Sequence, residues 1–498
     1  MKGKFILAID QGTTGSRAFI FDAKGRIVSK SYQEFKQYYP KPGWVEHDAE
    51  EIWASCVKVI QRAVVQAKIN PASIGAVGIT NQRETTVLWD RKTSKPFYRA
   101  IVWQCRRTSP MCQTPGLQKF KSLIQGKTGL VLDPYFSGTK IRWLLENIPG
   151  LRQKAQKGEV TFGTVDSWLI WKLTGGASHV TDMTNASRTL LFNIRTKEWD
   201  KDLLKIFQVP SSLLPNVLNS GSRFGTTAAG VAGLPSGIPI TGVMGDQQAA
   251  LYGQGCFARG SIKNTYGTGC FMMLNTGNKF VASKKGLLTT LACDVDGRPV
   301  YALEGAVFIA GAVMQWLRDE LKVIRRSADS EKIIKGLTDT GGVYFVPAFT
   351  GLGAPYWDAD ARGVICNLTR GSNVRHIVRA ALESIAYQTK DVFELMQEGY
   401  GGTIKNLKVD GGACQNNFLM QFQADILGAR VVRPKIVDST VLGAAYLAGI
   451  TAGLYKARDL KRFSSVETVF APKMPSKEVS QKYSGWLSAV AKARSNSK

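Results

Sequence analysis

The stretch Phe5-Ile-Leu-Ala-Ile-Asp10-Gln-Gly-Thr-Thr-Gly15 decides how the rest of the chain is read. Its apolar run, Phe5–Ile9, is too short for a helix and reads as a strand buried on both faces. Asp10 ends the run, and Gln11–Gly15 make a tight polar turn. Arg17–Asp22 and Arg26–Ser31 then flank Ala23-Lys-Gly25, which predicts a hairpin directly after the first strand. Asp48 caps a helix to about Lys68, with positions 52, 53, 56, 57, 60 and 64 on one apolar face and Asn70-Pro71 as its stop. Ile74–Thr80 is a further strand, ending just before Arg83-Glu84. Strand, hairpin and helix in this mixture place the chain in the α/β class with antiparallel additions.

The pattern restarts in the second half. Ile238–Val243 reads as a strand running into Gly245-Asp246, followed by a short helical stretch, Gln247–Tyr252. Ser261–Thr265, a Gly267-Thr268-Gly269 turn and Phe271–Leu274 then repeat the opening arrangement. Two similar lobes are therefore expected, residues 1–253 and 254–498. Further on, Asn373 caps a long helix to about Gln397, and Ile404–Val409 is a strand. Asp410-Gly-Gly-Ala413 is a tight turn, and Asn416–Leu427 a helix.

Three Gly-rich turns and two strand-end acids suggest chemistry on phosphate. Glycines let backbone N–H groups approach phosphate oxygens, and Thr13 and Thr14 add hydroxyl donors. Asp10 is placed to hold Mg²⁺, which takes one or two carboxylates and keeps several waters. Asp246 is placed to accept a hydroxyl proton during phosphoryl transfer. The plain alternatives are a hairpin turn for Asp10 and a helix N-cap for Asp246. The spacing is neither a Walker A loop nor a GxGxxG fingerprint, which excludes P-loop and Rossmann readings.

Composition narrows the class further. The 498 residues, 44% apolar and 21% charged, belong to an ordinary globular protein of two large lobes or three domains, and exclude disordered or collagen-like bulk. Eight cysteines without C-x-x-C spacing and only three histidines argue against a zinc site or a disulfide framework. No apolar run approaches the 18 residues of a membrane span, so no integral membrane segment and a cytoplasmic location are expected. The net charge of +27 is dispersed, with no basic run interleaved with aromatics, so no nucleic-acid partner is expected. Attraction of an anionic substrate is the other use of such charge.

The chain resembles the FGGY family of sugar and polyol kinases, and within it the members that phosphorylate glycerol. The likeness is carried by Ile9–Arg17, Pro40–Asp48, Gly78–Thr86, Ile101–Arg107, Asp133–Lys140 and Gly163–Leu173. It continues through Gly245–Leu251, Asn264–Phe271, Tyr301–Asp319, Pro347–Asp358 and Val409–Phe422. This resemblance implies two actin/hexokinase-like (ribonuclease H-like) lobes with a nucleotide cleft between them. It implies ATP-dependent phosphorylation of glycerol to sn-glycerol 3-phosphate, with Mg²⁺, by a homodimer or homotetramer. The family's polyol site falls on Arg83, Glu84, Tyr135, Asp246 and Gln247, with Trp103 and Phe271 as apolar walls. Its nucleotide site falls on Thr13, Thr14, Gly15, Arg17, Thr268, Gly311, Gln315, Gly412 and Asn416. Gly15 stands where some members carry a Ser, leaving a backbone contact without a hydroxyl. Asp246 becomes the general base and Asp10 the metal-side acid. Without the likeness, Arg83-Glu84 reads as a surface ion pair. A pentulose or hexulose kinase of the same family, or a basic polyanion-binding protein, are the alternatives.

Overall fold

The computed structural model describes residues 3–282, 286–358, 360–460 and 465–495. Its first sheet contains β1 (Phe5–Gln11), β2 (Gly15–Phe21), β3 (Ile27–Glu34), β4 (Ile74–Asn81) and β5 (Pro239–Gly245). They lie in the order β5-β4-β1-β2-β3, with the short strand Gly225–Thr226 on the β5 edge. Strand β2 runs antiparallel to both β1 and β3, whereas β4 and β5 run parallel to β1. The second sheet contains β6 (Ile262–Tyr266), β7 (Cys270–Gly277), β8 (Leu288–Cys293), β9 (Pro299–Val307), β10 (Asn406–Asp410), β11 (Arg430–Pro434) and β12 (Val466–Phe470). Its order is β8-β9-β7-β6-β10-β11-β12. From β9 to β11 the order and strand directions repeat those from β3 to β5, so the internal repeat read from the two Gly-Thr turns is a repeat of topology.

The apolar run of β1 is buried on both faces because each face has a helix over it. Leu7 and Ile9 pack with Ile52, Cys56 and Ile60 of α1 (Ala49–Ala67). Ile6 and Ala8 pack with Val441, Leu442 and Ala445 of a later helix, Ser439–Thr451. Each Ile, Leu or Val among them, withdrawn from water, contributes about 1.5–3 kcal/mol. Helix α1 starts where Asp48 accepts the Glu50 and Glu51 amides at 2.8 and 3.2 Å, and ends at Lys68 in a left-handed conformation. Val59 and Ala63 join Ile52, Cys56, Ile60 and Val64 on its buried face, while Trp53 and Val57 are only partly buried.

The remaining helices that place the site are α2 (Asp246–Gly253), α3 (Gly311–Asp319), α4 (Val374–Tyr400), α5 (Asn417–Leu427), α6 (Ser439–Thr451) and α7 (Ser476–Ala493). Helix α2 touches strands of both sheets and packs against α6, which lies on β1, β4 and β5. The approach is close enough to demand glycine. A Cβ on Gly443 would stand 1.9 Å from the Ala249 carbonyl oxygen, and one on Gly253 2.1 Å from that of Ser439. Around the second sheet, α4, α5 and α7 bury Ile385, Phe422 and Trp486, with Trp486 stacked on Tyr387 at 5.3 Å. Strand β7 runs three residues beyond the expected Leu274, because Asn275 pairs with Ala302 and its side-chain amide donates to the Cys256 carbonyl at 2.9 Å. All eight cysteines are free thiols. No helix among the described residues is long and apolar enough to cross a membrane.

Candidate functional site

The carboxyl ends of parallel strands are where α/β sheets hold ligands, and the sequence-derived acids lie there. The register sets Asp10 directly opposite Arg17 across the β1–β2 hairpin and beside Thr80 of β4. Arg17 Nη2 reaches Asp10 Oδ2 at 2.5 Å, and its Nη1 reaches Asp438 Oδ1, just before α6, at 3.0 Å. Burial raises the pKa of Asp10; Arg17 works against this, and the nearby Asp246 and Asp438 add to it. The turn is closed by the Gly12 amide on the Gly15 carbonyl at 2.9 Å. Thr13 Oγ1 accepts from the Trp103 indole at 3.0 Å, Thr14 is exposed, and Gly15 is buried.

Arg83 and Glu84 follow β4, and the structure corrects the reading of them as a surface ion pair. They are 3% and 1% exposed, and each faces a different partner. Glu84 has φ +60°, so the chain turns sharply there and the two side chains diverge. Arg83 binds Glu304 of β9 (Nη1–Oε2 2.5 Å, Nη2–Oε1 3.2 Å), Asp246 Oδ1 (Nε, 3.0 Å) and Gln248 Oε1 (Nη1, 3.2 Å). Glu84 Oε1 instead accepts from Arg188 Nε at 2.6 Å, and Arg188 Nη2 continues to Glu304 Oε1 at 2.9 Å. Burial opposes ionisation of Glu304, but Arg188 and Arg83 outweigh it and hold the carboxyl at about 2. Glu84 goes the other way: burial raises it more than the two arginines lower it.

Asp246 opens α2 immediately after β5, and its side chain is 32% exposed, unlike the sealed Glu84 and Glu304. Its neighbour Gln247 accepts from Lys263 Nζ at 2.5 Å, and Lys263 also donates to the Phe271 carbonyl at 3.2 Å. Above these groups Trp103 stands edge-on to Tyr135 at 5.6 Å and to Phe271 at 6.4 Å, an aromatic wall drawn from both lobes. Lys140, fully buried, donates to the carbonyls of Tyr135 (2.6 Å) and Glu84 (3.3 Å), and burial brings its pKa down to about 7. The arrangement offers fixed donors and acceptors beside an apolar wall, with one partly open carboxylate. That set suits a small polyhydroxy molecule and the removal of a proton from it.

The sequence-derived nucleotide residues lie around the second sheet. Thr268 occupies the β6–β7 turn, and its carbonyl accepts the Ala310 and Ala312 amides at 2.8 and 3.1 Å, while the Gly311 amide binds the Gly267 carbonyl at 3.0 Å. Gly311 thus packs the start of α3 onto the turn. Gln315, one helical turn on, is exposed, as is Gly412. Asn416 caps α5, its Oδ1 accepting the Leu419 amide at 2.8 Å and its Nδ2 meeting Ser330 Oγ at 3.2 Å. Among the described residues no group of three or more His, Cys, Asp or Glu could hold a metal by itself. Arg17 donates to Oδ2 of Asp10, so Oδ1 is left to suit a Mg²⁺ ion brought with a nucleotide's phosphates.

Sequence reasoning missed Arg188, Glu304, Lys263, Lys140 and Asp438. The available signal was a charge inside an apolar run: Arg188 precedes Thr-Leu-Leu191, and Glu304 interrupts Tyr301–Val307. Charged residues are almost never fully buried unless paired.

Residues 5–253 match the model of the FGGY family of carbohydrate kinases, N-terminal domain, and residues 262–452 that of its C-terminal domain. A glycerol kinase of Alkaliphilus oremlandii is 56% identical over 491 residues, covering 98% of this chain and 97% of that protein. Glycerol kinase 2 of Thermotoga maritima is 55% identical over 491 residues, covering 98% and 99%. The crystal structure of Plasmodium falciparum glycerol kinase with ADP superposes with a TM-score of 0.91 at 38% identity, covering 98% of each chain.

Proposed function

The chain belongs to the FGGY family of carbohydrate kinases, and from that premise we infer that it transfers the γ-phosphoryl group of ATP to glycerol, giving sn-glycerol 3-phosphate and ADP. Identity of 55–56% along 98% of the chain to glycerol kinases supports the substrate pair. The observation that carries the chemistry is Asp246, a carboxylate held by Arg83 at 3.0 Å yet partly open, at the end of β5.

In the proposed mechanism the 1–253 lobe holds the polyol and the 254–498 lobe the nucleotide. Glu84 accepts from a glycerol hydroxyl, Arg83 donates, and Tyr135 and Gln247 do either. Trp103 and Phe271 wall the carbon chain. Asp246 takes the proton of a terminal hydroxyl as its oxygen attacks the γ-phosphorus in line, and the bond to the β-phosphate oxygen breaks to release ADP. The turns at Thr13, Thr14, Gly15 and Thr268 cradle phosphate oxygens, with Arg17 supplying charge. Gly311, Gln315, Gly412 and Asn416 hold base and ribose. Asp10 would hold Mg²⁺, which when bound would supply positive charge beside the transferring group. The reading extends to a cytoplasmic homodimer or homotetramer, which light scattering of the purified chain tests for its oligomeric part.

The test is coupled ADP release with glycerol, xylulose and gluconate as separate acceptors. Glycerol is expected to support turnover far above the other two. Faster turnover with xylulose or gluconate overturns the assignment of acceptor.

A further inference from the structure

Arg83 and Glu84 both depend on a residue from the other sheet. Glu304, 1% exposed, lies in the middle of β9 and is the centre of a continuous chain of ion pairs, Glu84–Arg188–Glu304–Arg83–Asp246, buried up to its partly open end at Asp246. Both its oxygens accept from Arg83, and Oε1 accepts from Arg188 as well, so one carboxylate holds two guanidiniums that otherwise repel each other. The register places Glu304 beside Met273, and Met273 beside Lys263, so the two charged residues share one cross-strand row on one sheet face. Lys263 uses that position to grip Gln247 and the Phe271 carbonyl. One row of the second sheet therefore contacts Arg83, Gln247 and Phe271 directly, and Glu84 through Arg188.

We propose that Glu304 is a positioning residue for the acceptor site, fixing Arg83 directly and Glu84 through Arg188, so that the polyol pocket is complete only when the two sheets are held together. The proposal rests on the assignment of Arg83 and Glu84 to the acceptor. A buried ion cluster is a weak source of stability, since apolar replacements of similar volume are often neutral or stabilising. Its effect here is geometric: it fixes a bidentate guanidinium whose Nε reaches the base Asp246. Glu304→Gln keeps the shape and part of the hydrogen bonding but leaves two buried guanidiniums with one carboxylate fewer. Glu304→Asp keeps the charge and draws the carboxylate back by one methylene.

The experiment measures KM for glycerol at saturating ATP and KM for ATP at saturating glycerol, in full-length wild type, Glu304→Gln, Glu304→Asp and Arg83→Ala. All are read at a temperature where circular dichroism shows a folded chain. Glu304→Gln is expected to raise the glycerol KM about 10–100-fold, the scale of a lost charge-assisted contact, with the ATP KM within about twofold and Glu304→Asp intermediate. A glycerol KM within about twofold of wild type in both Glu304 variants, or an equal rise for ATP, overturns the proposal. Arg83→Ala separates the two levels. If it leaves the glycerol KM unchanged, the acceptor-site assignment itself has failed; if it raises that KM while the Glu304 variants do not, only the positioning role has.

Discussion

The two ends of the cleft are built from different materials. At the acceptor end, buried charges from both sheets are locked to one another through Arg83, Arg188 and Glu304 before any ligand arrives. At the end proposed for the nucleotide the parts are backbone turns, the Asp10–Arg17–Asp438 ion pairs, a capping amide and residues such as Gln315 and Gly412 that stand exposed. On the proposed assignment, the chemistry of the two ligands accounts for the difference. Glycerol is small and neutral, so discrimination requires donors and acceptors already fixed, with their desolvation cost met during folding. A nucleotide brings its own charge and a large surface, and backbone amides in glycine turns answer it together with Arg17, which is paired to the buried Asp10.

The largest expected effect tests whether the acceptor end does the chemistry. Asp246→Asn should lower turnover by roughly 10²–10⁴, the usual worth of a positioned base, while the ATP KM stays near wild type. Steady-state kinetics check it, and a variant keeping more than about a tenth of wild-type turnover contradicts the role.

Arg83→Ala probes how tightly that end is wired. The buried Glu304 loses its bidentate partner, and Asp246 its anchor, while Glu84 keeps Arg188. Breaking one partner of a buried pair costs about 3–5 kcal/mol, read as a lower urea midpoint together with a raised glycerol KM. The same substitution judged from sequence adjacency would have left Glu84 unpaired. A midpoint within experimental error of wild type would show that the cluster relaxes and the acceptor end is not rigid.

Lys140 gives a third, pH-dependent comparison. It is sealed among carbonyls of Glu84 and Tyr135, with Glu84, Cys105, Asp133 and Arg106 as the charged or titratable groups acting on it. Its folded pKa of about 7 lies below the unfolded value of ~10.4. The unfolded chain therefore binds the proton more readily. This residue's contribution to stability rises with pH between those values, by at most ~1.4 kcal/mol per unit, and is lost as pH falls. Lys140→Met removes that slope and loosens both carbonyls, so the stability difference from wild type should be larger at pH 9 than at pH 7. Equal differences in urea melts at the two pH values refute this. The glycerol KM should rise several-fold.

How much of this was legible in the chain follows from how local each feature is. The strand at Phe5–Ile9, the hairpin after it and the Asp48 cap are decided by residues within a few positions of one another, and all three form as read. The strand-end acids were legible because an apolar run stopping at an acid marks a strand end whatever the fold. The ion cluster was not. Arg83 meets Glu304 across 221 residues and Arg188 meets it across 116, and nothing local joins them. Adjacency actively misled at Arg83-Glu84, where a left-handed residue sends neighbouring side chains to different partners. Arg17 shows the intermediate case. Its pairing with Asp10 follows from hairpin register, but its second bond, to Asp438, spans 421 residues and depends on where α6 docks.

The smallest effect is expected at Asn416, and it sharpens the contrast from the nucleotide side. Its Oδ1 already serves the Leu419 amide as the N-cap of α5, and its Nδ2 meets Ser330, so the side chain is engaged without ligand. Replacing an Asn N-cap by Ala costs about 1 kcal/mol, well below the loss from unpairing a buried charge at the other end. If the same side chain also faces the nucleotide, Asn416→Ala adds a rise of a few-fold in the ATP KM and none in that for glycerol. The two KM values therefore move oppositely to those of Arg83→Ala, and measuring the four numbers side by side tests the division of the cleft directly. A glycerol KM that rises as much as the ATP KM in Asn416→Ala would mean that α5 bears on both ends, and that the two ends are one site rather than two separable ones.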